Sequence, residues 1–355
     1  VFTHQLIQEY FASEVLGEKF DEGSSSLSFF KIDEWWLPNG WEETAIILAG
    51  VRGASQLEEI VKWIGEAQPE VAIRCINESG IPGLTINSIS ITLKNHLRKI
   101  WEERLIDKTE SINARMAIGR ALGAIGDLRK GIGIKNGLPQ ISWCKISTSG
   151  KKISKYPITN SQFDSFVVDR DYDELKWWST EGKEWKKHNK SKYHSTVSNY
   201  PVTNVTWFEA EAFCSWLSSK MSKQIRLPTY NEWLNAAYGE KKREYPWGNK
   251  FNPDYLNIAI EENESNRICS VGIFPKSRSY NGVEDMLGNV WEWCYDKSPV
   301  NYYPEKLNLE KATTHILVGG AFDKEVDYVK RGYQYWSYPD FHRGNIGFRI
   351  LCVSN

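Results

Sequence analysis

The stretch that decides the fold of most of the chain is Asp285-Met-Leu-Gly-Asn-Val-Trp-Glu-Trp293, a Gly-Asn turn followed by two tryptophans that flank a glutamate. Other motifs share its mixture of turn residues and aromatic rings: Tyr156-Pro-Ile-Thr-Asn-Ser-Gln-Phe163, Tyr200-Pro-Val-Thr-Asn-Val-Thr-Trp-Phe-Glu-Ala-Glu-Ala-Phe-Cys-Ser-Trp-Leu217, Arg226-Leu-Pro-Thr-Tyr-Asn-Glu-Trp233, Tyr245-Pro-Trp-Gly-Asn249 and Gly344-Asn-Ile-Gly-Phe-Arg-Ile350. The first two place a Thr-Asn pair as N-cap before an amphipathic helix. Frequent turns and few helices predict a loop-rich α+β domain held by aromatic packing, at residues 133–355.

Residues 1–132 have a different, helical pattern. Apolar residues recur at three- and four-residue intervals near Leu6 and Tyr10 and again near Ile60 and Ile64, and Pro69 stands where a helix start tolerates proline. Small residues between positions 114 and 128 suit closely packed, HEAT-like helical hairpins. Gly and Pro in residues 129–142 predict a linker, which limited proteolysis would cut.

Composition excludes several classes of protein. The 355 residues carry 44 Lys and Arg against 45 Asp and Glu, so we expect no affinity for nucleic acid. The longest apolar run, at residues 44–51, is far too short to span a membrane. The sequence starts without Met or a signal peptide, and we interpret it as the C-terminal piece of a longer cytoplasmic protein. Its six dispersed cysteines predict free thiols.

The motifs of residues 133–355, in their order and spacing, resemble the formylglycine-generating enzyme (sulfatase-modifying factor) family, a branch of the C-type lectin fold. That family binds copper through two cysteines after a Gly-Gly-Ser-Trp-like turn. Here the turn is Gly319-Gly-Ala-Phe322, and the cysteine positions fall on Lys324 and Val329, which are not thiolate ligands.

A related branch, the ergothioneine-type sulfoxide synthases, uses an iron site with histidine ligands. The six histidines of this chain show no His-x-x-x-His pairing, so we expect them to be solvated or structural. The resemblance therefore implies a protein that is not an enzyme and that needs no cofactor. Related domains place calcium near the Gly-Asn-x-Trp-Glu turn, which leaves two roles open for Asn289 and Glu292: structural calcium ligands, or hydrogen-bond acceptors within the turn.

Residues 319–349, called the variable segment below, resemble the variable region of diversity-generating retroelement target proteins. The resemblance is carried by Gly319, Gly320, the Pro339-Asp340 pair and Ile346-Gly-Phe-Arg349. The resemblance implies diversified, ligand-binding positions at Asp323, Lys324, Glu325, Asp327, Tyr328, Tyr333, Tyr335, Trp336, Ser337, Tyr338, Phe341, Arg343 and Gly344. Lys324, Glu325 and Trp336 do not follow from mutated Asn codons and need other template codons. Phe322 occupies a framework position and is expected to be buried.

The chemistry of these residues suits recognition. Exposed Tyr, Trp, Asp, Ser and Arg resemble an antibody paratope, because they combine large rings of few torsions with adaptable polar groups. We expect Ile346, Phe348 and Ile350 to form the inward face of a strand that holds this surface. The alternative is that the aromatic residues complete the core, as aromatic residues usually do.

The helical part resembles the region that follows the ATPase module in NACHT proteins. The segments that carry this resemblance are 2–12, 41–50 and 115–127. The chain contains no Gly-x-x-x-x-Gly-Lys-Ser/Thr motif, so we expect no ATP hydrolysis by this piece. A generic helical spacer is the alternative.

The leading functional hypothesis is the sensor end of a NACHT-type signalling or defence protein. Its variable surface is expected to bind an unknown ligand, a protein or other macromolecule. The alternatives are an oxidase of the formylglycine-generating type or related metalloenzyme with an atypical site, and a fixed adaptor domain without diversification.

Overall fold

The computed structural model describes residues 2–30, 34–107, 109–146, 150–168, 170–240, 243–260, 267–298 and 313–353. The chain divides into two compact units, residues 1–127 and 128–355. None of the helices in these described ranges is both long enough and apolar enough to cross a membrane.

The first unit is helical. Its α-helices are α1 (Phe2–Asp21), α2 (Glu42–Arg52), α3 (Leu57–Ala67), α4 (Pro69–Glu78), α5 (Ile91–Ile106) and α6 (Ile112–Ile125). Helix α6 packs against α4 and α5 through its buried Ala114, Ala117 and Ala121, as small residues allow. Trp101 is fully buried and donates a 2.8 Å hydrogen bond from Nε1 to the carbonyl of Gly65. These contacts confirm the helical character of the unit, while a HEAT-like arrangement stays a prediction.

The predicted linker at residues 129–142 is instead packed into the second unit. Strands β1 (Ile134–Lys135) and β2 (Leu138–Pro139) form an antiparallel hairpin, and Ile132 is fully buried beside Tyr156 and Val271. Gln162 Nε2 donates hydrogen bonds to the carbonyls of Gly131 and Gln140. The prediction of an open linker was wrong because glycine and proline here shape a tight hairpin rather than a flexible spacer.

The second unit combines four helices of its described part with two sheets. The helices are α7 (Asn160–Val168), α8 (Thr180–His188), α9 (Trp207–Met221) and α10 (Tyr230–Tyr238). One sheet has the order β3 (Trp143–Lys145), β4 (Lys152–Ser154), β10 (Leu351–Val353), β5 (Gln224–Arg226), all antiparallel. The other has the order β8 (Tyr335–Ser337), β7 (Thr314–Val318), β6 (Trp291–Ser298), β9 (Ile346–Gly347), where only β6 and β9 run parallel.

Capping boxes fix where two of these helices begin. The hydroxyls of Thr206 and Thr229 accept from the amides of Glu209 and Glu232, whose carboxylates bind back to the N-cap amides. The cap of α9 is therefore Thr206 rather than the predicted Thr203-Asn204 pair. Asn204 instead adopts a left-handed conformation, with φ of 56°, in the preceding loop.

The aromatic core predicted from the motifs lies between the helices and the sheets. Phe163, Phe166, Phe213 and Trp216 are fully buried and pack with Phe348 from the C-terminal segment. Residues 345–352 are buried without alternation, so this segment has no outward face. The aromatic rings thus form a closely packed core that supports the variable segment.

A buried ion pair joins the two sheets of this unit. Arg349 is fully buried, and its Nε and Nη2 donate to the Glu292 carboxylate at 2.6 and 2.8 Å. The same carboxylate accepts from Trp233 Nε1 at 2.8 Å, and Arg349 also donates to the carbonyls of Ser154 and Asp285. The pair therefore connects β6, α10, β4 and the loop before β6 to the C-terminal segment.

Replacing one partner of this pair leaves the other charge buried without compensation. We expect Glu292→Gln to lower the free energy of unfolding by about 3–5 kcal/mol, measured by urea denaturation. Glu184→Gln, the same change at an exposed pair with Lys187, serves as the control and leaves stability unchanged. Similar midpoints for both variants would contradict a structural role for the pair.

Asp285 supplies a pH-dependent contribution to stability. Burial raises the pKa of its carboxyl to about 7, and its Oδ2 accepts a 2.6 Å hydrogen bond from the Gly272 amide. Because the folded pKa lies above the unfolded value of 3.8, the stability that this group contributes is present in acid and is lost as pH rises to about 7.

Asp285→Asn removes this dependence, and asparagine tolerates the φ of 54° found here. We expect the variant to equal the parent near pH 4 and to exceed its unfolding free energy by on the order of 4 kcal/mol at pH 8, since one pKa unit corresponds to about 1.4 kcal/mol. Urea denaturation across this range measures the difference. A constant difference between the two proteins would show that the carboxyl does not titrate in the folded state.

Candidate ligand-binding surface

The variable segment leaves the sheet through two glycines that no other residue replaces easily. Gly319 and Gly320 follow β7 with φ of 95° and 75°, the left-handed region that favours glycine. A Cβ on Gly320 would lie 2.5 Å from Cγ1 of Val329, a buried residue of the same segment. The turn therefore needs glycine for both its conformation and its close approach.

Main-chain hydrogen bonds hold the segment between this turn and β9. The amide of Phe322 donates to the Asn289 carbonyl at 3.1 Å, and the Lys324 carbonyl accepts from the Ala259 amide at 2.9 Å. Later in the segment, the Pro339 carbonyl accepts from the Trp207 amide at 2.9 Å, and the Arg343 carbonyl accepts from the Asn204 amide at 3.1 Å. At these four points the backbone is held by peptide groups rather than by side chains.

The predicted ligand-binding residues divide by exposure. The exposed ones are Glu325, Asp327, Tyr328, Tyr333, Tyr335, Phe341, Arg343 and Gly344, and the half-buried ones are Asp323, Lys324, Trp336 and Tyr338. Ser337 is buried in β8 opposite His315, so it cannot present its side chain to a ligand. Phe322 is half-buried rather than buried. The four exposed rings, Tyr328, Tyr333, Tyr335 and Phe341, are called the aromatic surface below; each is 37–42% exposed.

A small cavity of about 170 Å³ opens within the aromatic surface. Tyr328, Tyr335 and Phe341 line it together with Lys324 and Arg343, five of the residues expected from the sequence. Trp291, Asn345 and Ile346 complete its wall and were expected only as framework. The Trp291 ring lies 5.8 Å from that of Tyr335 and 6.0 Å from that of Tyr333, so the floor is an aromatic group from the opening motif.

Asp323 lies close to the two cationic side chains that line the cavity. Its Oδ1 accepts a 2.8 Å hydrogen bond from Asn345 Nδ2, and its Oδ2 lies 3.5 Å from Lys324 Nζ and 4.0 Å from Arg343 Nη2. One carboxylate therefore faces two cations beside exposed rings. This combination can bind an apolar or aromatic group that carries a hydrogen-bond acceptor or a negative charge.

Trp336 and Tyr338 lie outside the small cavity. Trp336 pairs with Ile316 in the sheet and packs against the core around Trp233 and Val318, whereas Tyr338 lines a separate, larger cleft. The expectation that Trp336 points outward was wrong, because residues alternate across a strand and Tyr335 takes the cavity side.

In the structure, as in the sequence, the two positions that correspond to the copper-binding cysteines of the family hold side chains that cannot bind copper. Lys324 lines the cavity as a cation, and Val329 is 1% exposed in the core around Trp233. Within the described ranges, no group of three or more His, Cys, Asp or Glu side chains has an arrangement that could hold a metal ion.

Asn289 and Glu292, the two possible calcium ligands, are engaged by the protein itself. Both oxygens of Glu292 accept from Arg349 or Trp233, as described above. Asn289 Oδ1 accepts from the Cys269 amide at 3.0 Å and from Asn257 Nδ2 at 3.1 Å, while its Nδ2 donates to the Cys269 carbonyl. This arrangement favours the structural role and lends no support to calcium, which stays a prediction.

Removal of an exposed ring should lower the free energy of unfolding less than removal of a ring in the core. We expect Tyr335→Ala and Phe341→Ala each to lower the free energy of unfolding by less than about 1.5 kcal/mol, because each ring keeps much of its water contact. Phe348→Ala, at a fully buried ring, costs about 3–5 kcal/mol, and Trp336→Ala costs more than either surface change.

Urea denaturation followed by tryptophan fluorescence measures these differences. Phe251→Ala is the matched control, since Phe251 is 38% exposed and does not line the cavity. Loss of the fold in Tyr335→Ala to the extent seen in Phe348→Ala would assign the aromatic surface to the core.

Comparison with known proteins agrees with this architecture. The sequence profile of the sulfatase-modifying factor enzyme 1-like domain matches residues 140–353. Hercynine oxygenase of Mycobacterium tuberculosis is 27% identical over 219 residues, which cover 53% of this chain and 49% of that protein. The inactive C-alpha-formylglycine-generating enzyme 2 of Bos taurus is 31% identical over 164 residues, 44% of this chain and 50% of the relative.

Among solved structures, Treponema denticola variable protein 1 aligns with a TM-score of 0.43 and 20% identity over 57% of this chain and 84% of that one. The chain spans about half the length of the curated relatives it matches. The profile match confirms the resemblance drawn from the motifs of the second unit. The chain belongs to the sulfatase-modifying factor enzyme 1-like family, with a C-type lectin-like fold in its second unit.

Proposed function

We propose that the variable segment is a ligand-binding surface of a recognition protein, and that its exposed side chains are diversified by a retroelement. The observation that carries the proposal is the coexistence of four exposed aromatic rings with a backbone held by main-chain hydrogen bonds. Folding ordinarily buries such rings, so a rigid segment that keeps them in contact with water favours binding.

The ligand that fits this surface is a macromolecule, and a protein in particular. Tyrosine, phenylalanine and arginine side chains around a small cavity suit an interface in which one partner side chain enters the cavity and the rings cover its neighbours. Binding of this kind requires no metal ion or cofactor. A chain with nearly balanced charge gives no reason to expect nucleic acid.

The helical unit extends the proposal to the larger protein. Its resemblance to the region beyond a NACHT-type ATPase supports a sensor in which ligand binding at the second unit is signalled to an ATPase module in the cytoplasm. A fixed adaptor without diversification is the alternative. A near-duplicate template repeat beside a reverse transcriptase gene in the source genome distinguishes the two.

Binding should depend on the aromatic surface. We propose to select partners from extracts of the source organism with the immobilised chain, with a triple variant that carries Tyr333→Ala, Tyr335→Ala and Phe341→Ala, and with the control Phe251→Ala. A true partner is retained by the parent and the control and is lost from the triple variant.

Calorimetry with that partner, once purified, should show the dissociation constant of the triple variant raised at least about a hundredfold, since central aromatic residues dominate binding energy. The far-UV circular dichroism spectrum of the triple variant must match that of the parent. A partner that binds all three proteins equally would place the binding site elsewhere.

An oxidase of the formylglycine-generating type would have to bind Cu(I), whereas the recognition function does not require it. Lys324 and Val329 supply no thiolate, so we expect no stoichiometric Cu(I) binding and no conversion of a cysteine peptide to formylglycine. A competition titration with a Cu(I) chelator and mass spectrometry of the peptide measure both. Tight Cu(I) binding together with turnover would replace the recognition function by that of an oxidase.

A further inference from the structure

A second and larger opening, the large cleft, lies between α8, α9 and the sheet that contains β6 and β7. Its volume is about 1070 Å³, and Trp185, Trp207, Phe208, Glu211 and His315 contribute to its wall. Tyr338, Pro339 and Asp340 of the variable segment also line it. The small cavity shares none of these residues, so the large cleft is a separate feature of the unit.

Aromatic rings form much of the wall of the large cleft. Trp207 stacks on His315 with ring centroids 3.9 Å apart, and its Nε1 is fixed by a 2.9 Å hydrogen bond to the Cys294 carbonyl. Trp185 and Phe208 lie 6.0 Å apart on the helical side. Ring faces of this kind attract a cation through their quadrupoles.

The charged groups of the lining are mainly acidic. Glu181, Glu211, Asp296 and Asp340 face the cleft together with a single lysine, Lys297. Burial lowers the pKa of His315 to about 4, so its imidazole is neutral at pH 7 and does not offset the carboxylates. The lining therefore favours a positively charged occupant.

Two buried polar atoms of the lining have no hydrogen-bond partner among the described residues. They are Glu211 Oε2 and His315 Nδ1, and His315 as a whole is only 3% exposed. Burial is the largest cause of the raised pKa of the Glu211 carboxyl, and a hydrogen bond with Ser179 and the charge of Lys297 offset it only in part. Buried polar atoms in native proteins are nearly always paired, so the unpaired Glu211 Oε2 and His315 Nδ1 point to a polar occupant of the large cleft.

We infer that the large cleft binds a ligand with an ammonium or guanidinium group, which pairs with the Glu211 carboxylate and lies against the rings of Trp185 and Trp207. The cleft exceeds the volume of one cationic side chain, so the ligand has a body beyond its charged group. This site is independent of the aromatic surface and of the function proposed for it.

The test uses the full chain and three small probes: Nα-acetyl-arginine amide, Nα-acetyl-lysine amide and the neutral analogue Nα-acetyl-citrulline amide. Calorimetry and tryptophan fluorescence should show the arginine probe binding at least about tenfold more tightly than the citrulline probe, because only the former carries a charge. Equal affinities, or no binding of any probe at millimolar concentration, would overturn the inference.

Variants localise the binding. Glu211→Gln keeps the shape of the side chain and should weaken binding of the arginine probe at least about tenfold, as should Trp185→Leu at the rim. Glu184→Gln, on the same helix as Trp185 but outside the lining, is the matched control and leaves the affinity unchanged. Unaltered binding in Glu211→Gln, with the unfolding midpoint retained, would overturn the assignment.

A further arm identifies the source of the cation. The pentapeptide Gly-Gly-Arg-Gly-Gly binds more tightly than the arginine probe if the natural ligand is a polypeptide, and no more tightly if it is a small molecule. Both results support a cation site and differ only in what presents the cation.

Discussion

The buried pair of Arg349 and Glu292 is the interaction on which the second unit depends. Arg349 reaches both sheets and the loop before β6, and Glu292 in turn holds the indole of Trp233 on α10. A buried ion pair contributes little net stability compared with apolar packing, but a displaced partner leaves a charge in the core. The pair therefore specifies which strands and loops come together, and the position of the variable segment follows from that choice.

Three further features position the variable segment. Gly319 and Gly320 turn the chain over the buried Val329, peptide groups fix its path, and Trp291 provides an aromatic floor. Three residues at β8 then meet three different environments. Tyr335 lines the small cavity, Trp336 packs against the core, and Tyr338 lines the large cleft. A stretch of four residues thus contributes to the core and to two openings with different charge.

Much of this arrangement could be predicted from the sequence, because motifs such as Asp285–Trp293 combine turn and core residues at fixed spacing. Predictions from the local sequence pattern were wrong where tertiary packing determines the position of a residue. The hairpin after residue 133 was taken for a linker, and Ser337 was expected at the surface although it is buried in β8. The large cleft was missed altogether, since Glu211 and His315 lie on different elements and His315 belongs to no motif. Only the folded chain brings these two residues into one wall.

The hydrogen bonds that hold the variable segment use backbone atoms, such as the Phe322 amide, the Lys324 carbonyl and the Arg343 carbonyl. Every amino acid except proline supplies both of these groups, so exchange of the outward side chains leaves the attachment points intact. Substitutions at Tyr333, Tyr335, Phe341 and Arg343 therefore leave these attachment points in place without compensating changes elsewhere. The same property makes this domain a scaffold for combinatorial libraries, in which folding yield and binding specificity are selected separately.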